Sequence, residues 1–195
     1  SPLSFHPIAL IFGLLSFVSY LVEGAVGDWS ALYLFEDKGI LIEEAVMGVM
    51  LFNGTMCIGR LLGNRLGKHL TSKQVVVGGY LLGSIAMGLI VFLPGHASMY
   101  TYLLLGISLA MIVPNLFSAM GEQNVIPMTQ AVATSTMLGY MGILMGPALI
   151  GFIAHGTSLT VAFIVLTTLL VVSAGIGKYA YHLMSKDCGL SDCLL

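Results

Sequence analysis

The stretch QVVVGGYLLGSIAMGLIVF, Gln74–Phe92, contains no charged side chain and decides the fold class. It opens a longer run, Gln74–Gly121, that has no Asp, Glu, Lys or Arg, and Gln123–Gly177 is a second run of this kind. A membrane-spanning helix needs roughly 20 apolar residues, so each run is long enough for two spans. A polar turn divides each run, PGHAS at Pro94–Ser98 and HGTS at His155–Ser158. The two runs therefore predict four membrane-spanning helices.

The composition of the whole chain supports the same class. Of its 195 residues 57% are hydrophobic and 8% are charged, whereas soluble domains carry about a quarter charged residues. The first third supplies two more apolar segments, and lipid-exposed backbone tolerates only helices or closed barrels. We expect an all-α membrane protein with helices at about 7–33, 42–62, 74–93, 99–120, 129–154 and 159–183, followed by a tail at 184–195.

The distribution of basic residues predicts the topology. With six spans, both termini lie on the same side of the membrane. Of the seven basic residues only Lys38 falls on the opposite side. The other six lie in or beside the 62–74 loop and near the C-terminus: Arg60, Arg65, Lys68, Lys73, Lys178 and Lys186. Because cytoplasmic segments are enriched in Lys and Arg, both termini are predicted to be cytoplasmic.

Two carboxylates end the apolar run of the first span, in VEGAVGDWSALYL, Val22–Leu34. Glu23 lies inside the span and has no basic residue on its own helix to pair with. An ionisable side chain at that depth is costly, which makes it a candidate functional group. Asp28 lies closer to the outer interface, where capping the helix is the simpler interpretation, and Trp29 fits an aromatic belt. We therefore favour a functional role for Glu23 over one for Asp28.

Glycines indicate where the helices pack closely. Gly59, Gly63 and Gly67 recur at four-residue intervals in the segment GRLLGNRLG at the end of the second helix, and the second and fifth helices are both rich in glycine. Small residues at this spacing let helix backbones approach one another. Since the second and fifth helices hold matching places in a 3+3 arrangement, the pattern also indicates inverted repeats.

Prolines and isolated polar side chains mark further positions inside the spans. Pro114 and Pro147 each remove a backbone hydrogen bond and favour a kink. Such a kink can serve gating or ligand binding, or it can be structural. Asn53 and Tyr140 are polar groups inside spans, which fits either contacts between helices or the lining of a cavity.

The segment GRLLGNRLGKHL, Gly59–Leu70, resembles the signature loop of the major facilitator superfamily. In that family the loop joins the second and third helices of each six-helix half. It reads Gly, a short apolar spacer, Asp-Arg, any residue, Gly, and two basic residues. The matching positions are Gly59, Arg65, Gly67 and Lys68. Asn64 stands where the family has Asp, which implies a weaker inward gate, and a plain basic anchor is the alternative interpretation.

Three further segments resemble helices of a bacterial sugar-permease-like branch of this superfamily, in the same order. EGAVGDWSALYL, Glu23–Leu34, is similar to the seventh helix and SLAMIVPNLFSAMG, Ser108–Gly121, to the tenth. LGYMGILMGPALIGFIAHGTSL, Leu138–Leu159, is similar to the eleventh helix and its following turn. The resemblance implies a C-terminal half, helices seven to twelve, without its N-terminal half. It also implies the bacterial inner membrane.

The resemblance implies a function and a site. In the family the first and fourth helices of each half line a central cavity. The candidates for a solute or proton pathway are Glu23, Asp28, Trp29, Asn53, Asn115 and Tyr140. The implied function is secondary active transport of a small polar solute, such as a sugar, coupled to protons through Glu23 without a partner cation from this half. The expected partners are the solute, the lipid bilayer and the N-terminal half, with no nucleic acid, cofactor or metal ion.

Two other classes remain as alternatives for a six-helix membrane protein. An intramembrane hydrolase needs a nucleophile and a base, but the sequence contains no G-x-S-x-G, no H-E-x-x-H and no pair of intramembrane aspartates. A channel needs rings of filter residues, and no segment resembles one. The sequence therefore favours a transporter.

Overall fold

The computed structural model describes residues 2–188, and within that range all regular structure is helical. The helices are α1 Pro7–Glu36, α2 Ile42–Leu66, α3 Ser72–Phe92, α4 Gly95–Leu109, α5 Ile112–Glu122, α6 Met128–Gly156 and α7 Leu159–Cys188. Six spans are long and apolar enough to cross a membrane, because α4 and α5 follow one another in one span, Gly95–Glu122. The predicted fold class and number of spans are confirmed.

Several helices extend beyond their predicted ends. The second helix continues to Leu66 rather than stopping near 62, so much of the signature segment is helical. Only residues 67–71 connect α2 to α3. The last helix continues to Cys188, so the predicted tail begins as helix, and its remainder, 189–195, lies outside the described residues. Charged residues do not end a helix, and these helices therefore run past the edge of the apolar core.

The fourth span is interrupted, in contrast to the single helix predicted at 99–120. Helix α4 ends at Leu109 and α5 begins at Ile112. Pro114 has no N–H, so it cannot donate to the carbonyl oxygen of Ala110 four residues earlier. Met111 adopts φ −101° and ψ 0°, which depart from the typical α-helical values of about −63° and −42°. The interruption therefore lies one turn before the proline.

The spans pack in a pattern that two inverted triplets would produce. The first span packs against the fifth, and the second packs against the fourth in the corresponding way. Likewise, the third span packs against the fourth, and the first packs against the sixth. The third and sixth spans pack against each other. Exchanging spans one to three with spans four to six maps these contacts onto themselves. The predicted 3+3 inverted repeat agrees with this packing.

Glycines allow the two equivalent contacts between spans. A Cβ atom at Gly142 on α6 would overlap the carbonyl oxygen of Phe17 on α1. At the equivalent contact, a Cβ atom at Gly59 on α2 would lie 2.6 Å from Cβ of Ala110. Neither position has room for a side chain, so the predicted use of glycine for close packing is confirmed there.

Lys38 links the loop between α1 and α2 to the end of α3 through hydrogen bonds. Its Nζ donates to the carbonyl oxygens of Val91 and Leu93, each at 2.7 Å. A cation at this position satisfies helix carbonyls that lack an intrahelical partner. Burial lowers the pKa of Lys38, and the neighbouring carboxylate of Asp37 opposes that shift.

Candidate functional site

An ion pair joins the first and second spans. Arg60 Nη2 lies 3.5 Å from Glu23 Oε2, and their side chains are 39% and 21% exposed. The prediction that Glu23 needs no partner cation from this half is therefore wrong. The sequence placed Arg60 at the end of the second span, in or beside the following loop, but α2 continues to Leu66, so Arg60 lies nearly two turns before the end of the helix and beside Glu23.

The same guanidinium also contacts the interruption in the fourth span. Arg60 Nε donates to the carbonyl oxygen of Ala110 at 3.3 Å. That oxygen is the one that Pro114 cannot serve, because proline has no N–H. The Arg60 side chain thus connects the carboxylate of Glu23 on α1 with the Ala110 carbonyl between α4 and α5, which Pro114 leaves without a donor within its own span. The two contacts use different nitrogens of the guanidinium, and both distances are at the long end of hydrogen-bond geometry.

Two tyrosines extend this cluster. Tyr20, one turn before Glu23, lies within electrostatic range of Glu23, Arg60 and Tyr140. Its ring also packs against α6, where a Cβ atom at Gly139 would lie 2.8 Å from it. Tyr20 was not among the residues predicted from the sequence, although its three-residue spacing from Glu23 puts both on one helix face.

The predicted pathway residues on α2 and α6 are exposed in this half of the bundle. Tyr140 is 67% exposed and Asn53 is exposed. Asn53 precedes Arg60 by seven residues, or two helical turns, so the two lie on the same side of α2. Asp28 is also exposed. The roles predicted for these side chains stay predictions.

Trp29 on the first span makes a hydrogen bond and a packing contact with the fifth span. Its indole Nε1 donates to the carbonyl oxygen of Pro147 at 2.9 Å, and its ring covers Gly151, where a Cβ atom would lie 2.8 Å away. Gly24 lies against the carbonyl oxygen of Ile143, to which Pro147 cannot donate because it has no N–H. A Cβ atom at Gly24 would lie 2.9 Å from that oxygen. Trp29 therefore has a specific partner on α6, whichever role it has in transport.

Several of the remaining candidates, including Asn64, Pro114 and Asn115, line one groove. A cavity of about 280 Å³ is lined by residues of the signature segment, of α5 and of the turn before it: Gly63, Asn64, Gly67, Lys68, Met111, Pro114, Asn115 and Ser118. Asn115 Nδ2 donates to the carbonyl oxygen of Met111 at 2.8 Å. The structure thus places Asn115 beside the signature segment, and its predicted place in a solute or proton pathway stays a prediction. Within residues 2–188, no three His, Cys, Asp or Glu side chains are grouped as a metal site would require.

Comparisons with known proteins bear on this arrangement. No family model matches the chain. It is 41% identical over 168 residues to an uncharacterised MFS-type transporter of Yersinia pestis, covering 85% of this chain and 43% of that protein. It is 30% identical over 170 residues to the membrane protein MosC of Rhizobium meliloti, covering 86% and 42%. The chain thus spans about two fifths of the length of the curated relatives it matches.

Solved structures show the same fold at lower identity. The fucose:proton symporter FucP of E. coli superimposes with a TM-score of 0.77 at 16% identity, over 89% of this chain and 42% of that chain. A peptide transporter, POT, crystallised with sulfate, superimposes with a TM-score of 0.79 at 15% identity, over 98% and 41%. Each match covers less than half of the solved transporter.

Proposed function

The chain belongs to the major facilitator superfamily, and from that membership we propose that it forms one six-helix half of a secondary active transporter. The half corresponds to helices seven to twelve, with both termini cytoplasmic, in the bacterial inner membrane. It works with an N-terminal half that covers the face carrying Asn53 and Tyr140. The naming of relatives as transporters supports this function over a hydrolase or a channel.

The observation that carries the proposal is the contact of Arg60 with both Glu23 and Ala110. With Glu23 ionised, the guanidinium is held by a charge and by a carbonyl oxygen. When Glu23 binds a proton, the attraction between opposite charges is lost and Ala110 is the remaining partner. The interruption in the fourth span is then in contact with a guanidinium that is no longer paired with the Glu23 carboxylate. Proton binding on the first span is thereby linked to the geometry of the fourth.

The solute we propose is small and polar. The candidate pathway side chains include carboxylate, amide and phenol groups, which hydrogen-bond hydroxyl-rich or zwitterionic molecules, whereas the N–H of Trp29 already donates to Pro147. Asn53 and Tyr140 lie on exposed faces, where a second half would enclose a solute between the two bundles. The printed titles of FucP and POT, which name fucose and peptides, guide the choice of solutes to test.

Proton movement in proteoliposomes tests this proposal. The full-length protein is reconstituted with a pH-sensitive dye inside, and a panel of monosaccharides and dipeptides is added outside. At least one solute should acidify the lumen with the full-length protein, and none should do so with residues 1–195 alone. Solute entry without acidification would contradict proton coupling, and robust flux through residues 1–195 alone would contradict the half-transporter.

A further inference from the structure

A groove between α3 and α7 is marked by two lysines. Cavities of about 310 Å³ and 530 Å³ share both Lys73 and Lys178 in their walls and so adjoin. Tyr179 and His182 line the smaller cavity. Val77, Gly78 and Leu81 line the larger one. Polar and cationic groups thus stand at one end of a surface that continues as apolar wall.

The position of the lysines in the sequence sets their depth in the membrane. Lys73 immediately precedes the uncharged run Gln74–Gly121, and Lys178 immediately follows the uncharged run Gln123–Gly177. Each is therefore the first charge beyond an apolar span, and the two occur on the same side of the bilayer. Lysines at that level lie among the lipid headgroups.

The two helices are held together beside the lysines. Ser72 Oγ and the hydroxyl of Tyr181 are 2.7 Å apart, which ties the first turn of α3 to α7. One turn earlier on α7, a Cβ atom at Gly177 would lie 3.6 Å from the side chains of Val76 and Val77. The groove therefore lies beside a close contact between α3 and α7.

The apolar wall is open along its length. A Cβ atom at Gly78 or at Gly175 would meet nothing within 4 Å, and Leu81 is 46% exposed. From Lys73 to Leu81 the wall extends about 12 Å along α3 toward the membrane interior. Its dimensions suit part of an acyl chain.

The charge of the groove is not neutralised by the protein. The ion pairs among the described residues are Arg60 with Glu23 and His96 with Glu44, and neither involves Lys73 or Lys178. Two lysines that line the same cavities at headgroup level attract a phosphodiester. Together with the open apolar wall below them, they favour a ligand that has both an anionic head and a long chain.

We propose that this groove binds one anionic phospholipid. Its phosphate lies between the ammonium groups of Lys73 and Lys178, and an acyl chain lies along Val77, Gly78 and Leu81. The site is separate from the Glu23–Arg60 pair and is independent of which solute the protein transports.

Native mass spectrometry of the full-length protein tests the site. The protein is released from nanodiscs that contain equal amounts of phosphatidylglycerol and phosphatidylcholine. Wild type should retain phosphatidylglycerol preferentially. A basic residue near the headgroups contributes about 1 kcal/mol, so Lys73→Gln/Lys178→Gln should weaken retention by about thirtyfold. Lys186→Gln, two turns further along α7, removes the same charge as Lys178→Gln and should change retention little.

A second variant tests the apolar wall without changing charge. Gly78→Leu fills open space, so it should leave the fold intact and reduce retention of phosphatidylglycerol. Inorganic phosphate at millimolar concentration should not displace the lipid. The proposal is overturned if wild type shows no preference for the anionic lipid, or if Lys186→Gln matches Lys178→Gln. It is equally overturned if the lysine and glycine variants both bind as wild type, or if phosphate alone competes.

Discussion

Replacing Arg60 with Gln removes the group that links Glu23 to the interrupted fourth span. The carbonyl oxygen of Ala110 then has neither an N–H from Pro114 nor the guanidinium, and Glu23 loses its cation. Breaking a fully buried ion pair costs about 3–5 kcal/mol. This pair is longer, at 3.5 Å, and its side chains are 21% and 39% exposed, so solvent screens it. We expect a loss of about 1–2 kcal/mol in the free energy of unfolding.

The variant Pro114→Ala tests whether the lost hydrogen bond to the carbonyl oxygen of Ala110 contributes to that loss of stability. Alanine restores an N–H that can donate to this oxygen, and one such bond contributes about 1 kcal/mol. In Arg60→Gln/Pro114→Ala the loss should therefore be about 1 kcal/mol smaller than the sum of the two single effects. Pro147→Ala is the matched control, because it also restores an N–H within a span, on a helix that does not pack against α2.

The assay is reversible unfolding of the full-length protein in mixed detergent micelles. Free energies of unfolding are measured for wild type, the three single variants and the two double variants. Coupling of about 1 kcal/mol between Arg60 and Pro114, with none between Arg60 and Pro147, supports the linkage. Additive effects at Arg60 and Pro114, or equal coupling with both prolines, would show that Arg60 does not stabilise the interruption through the carbonyl of Ala110.

Three further predictions use other contacts. Gly142→Val drives a side chain into the backbone of α1 and should cost about 2–3 kcal/mol of stability, whereas Gly88→Val, which has space around it, should cost less than 1 kcal/mol. Because burial lowers the pKa of Lys38 below its ordinary value of 10.5, the unfolded chain binds that proton more readily. The melting temperature of wild type should therefore rise relative to that of Lys38→Met as the pH increases toward 10.5, and a falling difference would contradict this assignment. Asn64→Asp restores the acidic group of the signature segment. It should slow labelling of Cys57, an exposed thiol on α2, by a membrane-impermeant reagent added from the cytoplasmic side. Unchanged labelling would mean that the segment is only a membrane anchor.

The spans could be predicted because two physical requirements act in the same direction. A span must be uncharged over about 20 residues, and the charges that remain must lie at its ends. The runs from Gln74 and from Gln123 meet both requirements over their full length. The same logic failed at Arg60, because it treats every charge as the edge of a span. A cation that has a carboxylate and a free carbonyl as partners can lie inside one.

The interruption of the fourth span was only partly readable from sequence. Pro114 indicates which carbonyl loses its donor, but it does not indicate what replaces that donor. Here the replacement comes from Arg60, fifty residues earlier in the chain. Such a contact depends on how α2 packs against α4, and spacing along a single helix carries no information about it. The bond from Trp29 to Pro147 was missed for the same reason.

The direct test of the account is to separate solute accumulation from solute exchange after Glu23→Gln. Glutamine keeps the size of the side chain and its hydrogen bonding but cannot titrate. In proteoliposomes holding the full-length protein, proton-driven accumulation should be abolished, while exchange of labelled for unlabelled solute should stay within about twofold of wild type. Glu36→Gln, the same change at the exposed end of α1, should leave both activities intact. Accumulation against a gradient that survives Glu23→Gln would contradict proton coupling through the Glu23–Arg60 pair.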